Sequence, residues 1–97
     1  MNIPAITGID NALKIYYNNL ELGNKEIIGL FGNRSSATIT RLKNTVKSEM
    51  IKRNVMSYGT YKVNTNIAYE VWGIDINDLK KRKKELAQLG YSTDIQH

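Results

Sequence analysis

Apolar residues recur at helical spacing along most of this chain, and glycines and small polar residues interrupt them at regular places. Ile9, Ala12, Leu13, Tyr16 and Leu20 form one stripe, flanked by Tyr17, and predict a first helix from about Ile9 to Leu22 that Gly23 ends. Both tyrosines suit packing in a core or an interface, where aromatic rings bury most of their area. A short second helix, Lys25 to Phe31, follows, with Asn24 as its cap and Ile27, Ile28, Leu30 and Phe31 as its apolar residues. Gly32 stands where the chain must leave that helix, a turn that a residue without Cβ makes at little steric cost. Ser35 or Ser36 caps a third and longer helix that reaches Arg53. On it, Ile39, Leu42, Val46 and Met50 make a narrow stripe, and Ala37, Arg41, Asn44 and Ser48 lie opposite, flanked by Thr40, Thr45 and Lys52.

The pattern then changes. Val55 to Val63 is rich in Val, Tyr and Thr, residues that favour strands, and Tyr58-Gly59 offers a tight turn, so a short β-hairpin is expected near residues 55–63. Asn64-Thr65 caps a fourth helix, Asn66 to Trp72, that Gly73 ends. Asp75 caps a fifth, supported by Asp78 in its first turn. Its apolar side is Ile76, Leu79, Leu86 and Leu89, with Lys80, Lys81 and Lys84 facing away and the stems of Arg82 and Lys83 free to lie along the core. Gly90 closes it, Tyr91 is placed to pack back onto its end, and a loose tail runs from Ser92 to His97.

There is also an internal echo. Residues 22–32, LGNKEIIGLFG, align without gaps with residues 63–73, VNTNIAYEVWG, and a longer basic helix follows each. The period of 41 residues allows a second helix-turn-helix-like pair at 65–90. Otherwise the last two helices brace the first pair or form a dimer contact.

Composition sharpens this picture in two respects. At 97 residues the chain fits one domain, and 41% hydrophobic with 24% charged residues is ordinary for a globular fold. The net charge of +5 is unevenly spread. Residues 34–53 hold six Lys or Arg against Glu49, and 80–97 hold five against two acids, whereas 1–33 and 54–79 are net acidic. Basic blocks in helices raise the expectation of a polyanionic partner, because phosphate contacts release counterions.

Other chemistry is poorly represented. There is no cysteine, hence no disulfide and no thiolate metal site. The single histidine, His97, is the last residue, which disfavours histidine-based catalysis or metal binding. No glycine-rich phosphate loop occurs. Asp75 and Asp78 are better explained by a helix start than by a metal-dependent nuclease. The expectation is a protein that is not an enzyme and needs no cofactor, metal or small-molecule substrate. Neither a signal peptide nor a membrane span is legible, so a cytoplasmic protein without a membrane partner is expected.

The third helix carries the sharpest chemistry. Two helices joined by a short turn containing Gly make a helix-turn-helix, whose second helix can enter a DNA major groove. Arg41 can grip guanine through two bonds, Asn44 can do so with adenine, and Ala37 and Thr40 offer methyls to thymine. Ala37, Thr40, Arg41 and Asn44 are therefore the expected base-reading residues, with Arg34, Ser36 and Lys47 beside them for phosphates. On the fifth helix Lys80, Lys81 and Lys84 would add affinity without sequence choice. The segment MIKRNVMSYGTYKVN, Met50 to Asn64, resembles the helix-end-plus-wing segment of winged helix-turn-helix DNA-binding proteins, and the likeness extends over roughly Asn24 to Val63. That resemblance implies a mainly α winged helix-turn-helix domain spanning residues 1–97, with Lys62 and Tyr58 reaching DNA from the wing. It also implies a small phage- or plasmid-type regulator that binds double-stranded DNA, as a homodimer where the site has two-fold symmetry. Packaging or replication work on DNA, and a protein-interaction adaptor or inhibitor anchored by Tyr16, Tyr17 and Trp72, are the alternatives.

Overall fold

Four local devices mark where all the helices but the first begin. Ser35 Oγ accepts from the Thr38 N–H at 3.2 Å, Asn64 Oδ1 accepts from the Ile67 N–H at 2.9 Å, and the Asp75 carboxylate accepts from Asn77 and Asp78 at 2.9 and 3.2 Å. At the fourth start the cap is Gly23 rather than Asn24, with the Gly23 N–H donating to Glu26 Oε1 at 2.8 Å. The computed structural model describes residues 2–95, with side chains described as far as Leu89. Its elements are α1 (Ile9–Asn18), β1 (Glu21–Leu22), α2 (Asn24–Phe31), α3 (Ser36–Lys52), β2 (Val63–Asn64), α4 (Thr65–Val71) and α5 (Ile76–Ile95). The fold is mainly helical, with five helices and one two-stranded antiparallel sheet among the described residues.

Three expectations are corrected. The first helix stops at Asn18, because Asn19 is extended and donates through Nδ2 to the Ile15 carbonyl at 3.0 Å. Leu20 kept the helical spacing but is 91% exposed, and Glu21–Leu22 turn into a strand. The hairpin near 55–63 does not form. Met56, Tyr58 and Tyr61 are exposed, so a local hairpin would have had no face to bury. The strand Val63–Asn64 instead crosses to β1, pairing Leu22 with Val63 and Glu21 with Asn64, and both apolar partners are fully buried. The loop before it is tied to the same place, since the Tyr58 and Gly59 N–H groups donate to the Glu21 carboxylate at 2.7 and 2.8 Å. Finally, α5 runs through Gly90 to Ile95, since a glycine weakens a helix without forcing it to end. Ile76 and Leu79 pack on the core as expected, but Leu86 and Leu89 are exposed, with Leu86 bordering a groove beside the start of α1. The expected packing of Tyr91, the rest of the tail's side chains and His97 lie outside the described residues.

The core gathers Leu22, Ile27, Leu30, Phe31, Leu42, Val46, Val63, Ala68, Tyr69 and Trp72. Its two polar rings are satisfied: Tyr69 donates to the Ala12 carbonyl at 2.6 Å and Trp72 Nε1 to the Leu42 carbonyl at 3.2 Å. These bonds fasten α4 between α1 and α3. An exposed pair of ion pairs reinforces the end of α3, where Arg53 meets Glu49 at 3.0 Å and Glu70 at 2.6 Å, a contribution of little weight at the surface.

The echo has a structural meaning. Leu22 and Val63 open the two similar segments, and they are the residues that face each other in the sheet. Antiparallel pairing has a local two-fold character, so at this pair a two-fold would match a residue with the one 41 positions later. Phe31 and Trp72 occupy equivalent places and meet, ring centroids 5.3 Å apart and nearly perpendicular. Gly32 and Gly73 follow at φ 80° and 73°. The likeness ends there. α3 packs against α4, whereas α5 packs against α1.

Candidate nucleic-acid interface

Burying Ile39, Leu42, Val46 and Met50 against the core turns the opposite side of α3 to solvent. Ser36, Ala37, Thr40, Arg41, Asn44 and Ser48 are all exposed there. The expected base-reading set of Ala37, Thr40, Arg41 and Asn44 thus lies together on one open face. Arg41 and Asn44 line a shallow depression with Thr38, Thr45 and Ser48, and Asn2 from the amino-terminal segment borders it. Arg41 forms no ion pair among the described residues, so its guanidinium can reach outward.

The expected phosphate contacts divide into groups. Arg34 is exposed at the turn between α2 and α3, but its Nε donates to the Phe31 carbonyl at 3.0 Å and closes the end of α2. The remaining guanidinium nitrogens are left for a ligand. Ser36 is exposed at the start of α3, and Lys47 is half-buried one turn beyond Lys43. Lys62 ends the loop 55–62 and runs its stem past Gly59 so closely that a Cβ there would stand 2.8 Å from Lys62 Cδ. Lys80, Lys81 and Lys84 are exposed on α5, with Lys80 Nζ 5.1 Å from the centre of the Tyr17 ring. Their neighbours are engaged: Arg82 pairs with Asp78 at 2.8 Å and Lys83 with Asp10 at 3.0 Å. The α5 cations are therefore on a different element from the α3 face, packed on α1 rather than continuing that face.

One cation escaped the sequence reading. Lys43 belongs to the apolar stripe of α3 and is only 8% exposed, with its Nζ donating to Asn24 Oδ1 at 3.1 Å. Burial, and then the charge of Lys47, lower its pKa. The signal was present in the spacing, since a lysine four residues after Ile39 and three before Val46 falls on the buried side of a helix. Of the residues considered as protein-binding anchors, Trp72 is 4% exposed and closed off in the core, Tyr16 is half-buried, and Tyr17 is exposed.

No group of three or more acidic, histidine or cysteine side chains is placed to hold a metal ion among the described residues. Among them, no helix is long and apolar enough to cross a membrane. No family model matches the chain, and comparison with curated proteins and with solved structures returned no match.

Proposed function

We propose that this chain is a small sequence-specific DNA-binding protein of the winged helix-turn-helix kind, a transcriptional regulator that lays α3 in the major groove of double-stranded DNA. The observation that carries this reading is the exposed α3 face, where Ala37, Thr40, Arg41 and Asn44 stand together with Arg34, Ser36 and Lys47 at its margins. Few solvated helix faces forgo Glu and Lys for Thr, Ser and Asn, which form helices less readily. The order helix, strand, helix, helix, loop, strand supports it too, because the loop 55–62 then flanks the reading helix as a wing would. Lys62 and Tyr58 are its candidate contacts. Two copies on a two-fold site, with half-sites about 10 base pairs apart, are the natural mode of use.

Selection of binding sites from random duplex DNA at two salt concentrations tests this. A defined motif should be enriched, and Arg41→Ala should then relax base preference and weaken binding by about 1–3 kcal/mol, whereas Lys81→Ala should weaken binding to all sequences alike. Enrichment of no motif, with binding lost at moderate salt, would defeat the proposal. The second reading, a protein-interaction module, is favoured by the exposure of Leu86 and Leu89 on α5, where Leu86 borders a groove with Ile9 at the start of α1. Its mark would be a tight protein complex beside DNA affinity no greater than net charge explains.

A further inference from the structure

Lys43 poses a physical problem that its surroundings leave half solved. Taking an ammonium even partly out of water is costly unless an opposite charge accompanies it. Among the described residues no carboxylate lies within ion-pair distance of Lys43. Its Nζ has one hydrogen bond, to the neutral amide oxygen of Asn24, and the Tyr61 ring lies 5.9 Å away. The other two ammonium protons have no hydrogen-bond acceptor among the described residues, and none of the three has an anionic one. Lys47 adds a second positive charge one turn along. Glu26, which lines the adjoining cleft, is turned to the Gly23 N–H.

The space beside Lys43 matches that unmet need. A cleft of about 320 Å³ opens between the start of α2 and the side of α3, walled by Asn24, Thr40, Lys43, Asn44, Lys47 and Tyr61. Lys25 and Lys62 border an adjoining cleft that shares Asn24, Lys43 and Tyr61 with the first. The start of α2 faces the same place, and the first N–H groups of a helix have no intrahelical acceptor and carry partial positive charge. The lining of this cleft holds two lysines and no acid, and each of its side chains can donate a hydrogen bond.

We infer that this cleft is a phosphate-binding site, in which a phosphate oxyanion accepts from Lys43 Nζ and is held further by Lys47, the Tyr61 hydroxyl and the first turn of α2. Asn24 is its positioning residue: it holds the Lys43 ammonium at the cleft without neutralising it. As a contact to the DNA backbone the site rests on the function proposed above, and it would set the register of α3, since the cleft shares Thr40 and Asn44 with the reading face. As an anion site it stands alone, and free phosphate would use the same donors.

The decisive variant is Asn24→Asp, which places a carboxylate beside Lys43 and so supplies the missing counterion from within. An acid in the first turn of α2 also suits the helix dipole, so the variant should stay folded by circular dichroism. Lys43→Met, which keeps the apolar stem, is the second variant. Binding to a mixed-sequence duplex of roughly 20 base pairs, two helical turns, is measured across a sodium chloride series. Each variant should lose about one unit from the slope of log affinity against log salt, and on the order of fivefold in affinity at physiological salt, the share of one phosphate contact. Wild-type slope and affinity in both folded variants overturn the inference while leaving DNA binding intact. In parallel, inorganic phosphate is titrated against the amide resonances of Asn24 and Lys25. Shifts that vanish in Asn24→Asp, without any duplex binding, uphold the site, assign it to free phosphate and reject the DNA reading. No response to duplex or to phosphate rejects both.

Discussion

Two units with one skeleton meet at the Leu22–Val63 pair, and they are put to different uses. Each is a buried strand residue, a capped short helix, an aromatic at the helix end and a glycine at positive φ. In the first unit the outer side of the short helix stays open: Ile28 is partly exposed, and Asn24 reaches sideways to Lys43. The equivalent positions in the second unit are closed. Tyr69 stands for Ile28 and is buried, donating to the Ala12 carbonyl, and Thr65 stands for Asn24 and is buried with its hydroxyl making no hydrogen bond among the described residues. The second unit thus spends its surface on the core, even at the cost of an unpaired hydroxyl, whereas the first keeps solvent access along α2 and α3. A chain that carries one arrangement twice has closed two positions on the outer side of one short helix and left their equivalents on the other open to contact.

The largest test of this division compares the equivalent aromatics. Trp72→Ala removes a ring that is 4% exposed together with its hydrogen bond to the Leu42 carbonyl, and Phe31→Ala removes the ring opposite. Each truncation should cost about 3–5 kcal/mol, with Trp72→Ala the greater by roughly the 1 kcal/mol of a hydrogen bond. Against a total stability of about 5–15 kcal/mol for a domain, either change takes a large part. Urea unfolding followed by circular dichroism measures both. A costlier Phe31→Ala would mean that the first unit, not the second, anchors the core.

How much of this was legible beforehand depends on what kind of force decides each feature. The helices α2 to α4 and the start of α5 were legible because caps and glycines act locally: Ser35, Asn64 and Asp75 all do the work their residue types predict. The strand pair was not legible, since a contact between residues 41 positions apart leaves no periodic trace in a two-residue segment. The end of α1 was misplaced for a related reason, because Leu20 fits a helical stripe and nothing local announces that Leu22 will be claimed by Val63. On the candidate site, the exposed face of α3 followed from its apolar stripe. Lys43 did not, because a reading that sorts residues by charge places every lysine outside, although its spacing puts it within the stripe.

A finer comparison uses the two glycines. Gly32 has φ 80° and ψ −178°, a region that side chains with a Cβ scarcely enter, so Gly32→Ala should cost about 1–3 kcal/mol. Gly73, at φ 73°, has no atom within 4 Å of where a Cβ would stand, so Gly73→Ala should meet only the backbone penalty of about 1 kcal/mol. Thermal unfolding of both variants decides the matter. Equal losses would mean that the two turns are closer copies than their surroundings suggest.

The smallest effect carries a pH signature of its own. Tyr69→Phe deletes the hydroxyl that donates to Ala12 and should cost about 1 kcal/mol at neutral pH. Burial first, and the neighbouring Tyr16 second, raise the Tyr69 pKa above its ordinary value near 10. The phenol therefore stays neutral in the fold while the unfolded chain ionises. The native state then holds more protons than the unfolded one, so stability falls as pH rises. Tyr69 contributes in full below about pH 10, the ordinary tyrosine pKa, and its contribution drains away above that point. Other groups titrate there as well, Lys43 with the opposite sign, so the informative quantity is the difference between wild type and Tyr69→Phe. The wild type should lose its advantage over the variant between neutral pH and about pH 11, followed by urea midpoints. Ile28→Ala at the equivalent position of the first unit should show no such trend, because a partly exposed aliphatic has no proton to lose. A wild-type advantage that stays constant across that range would mean that Tyr69 is solvated in the native state, and the second unit would then be as open as the first.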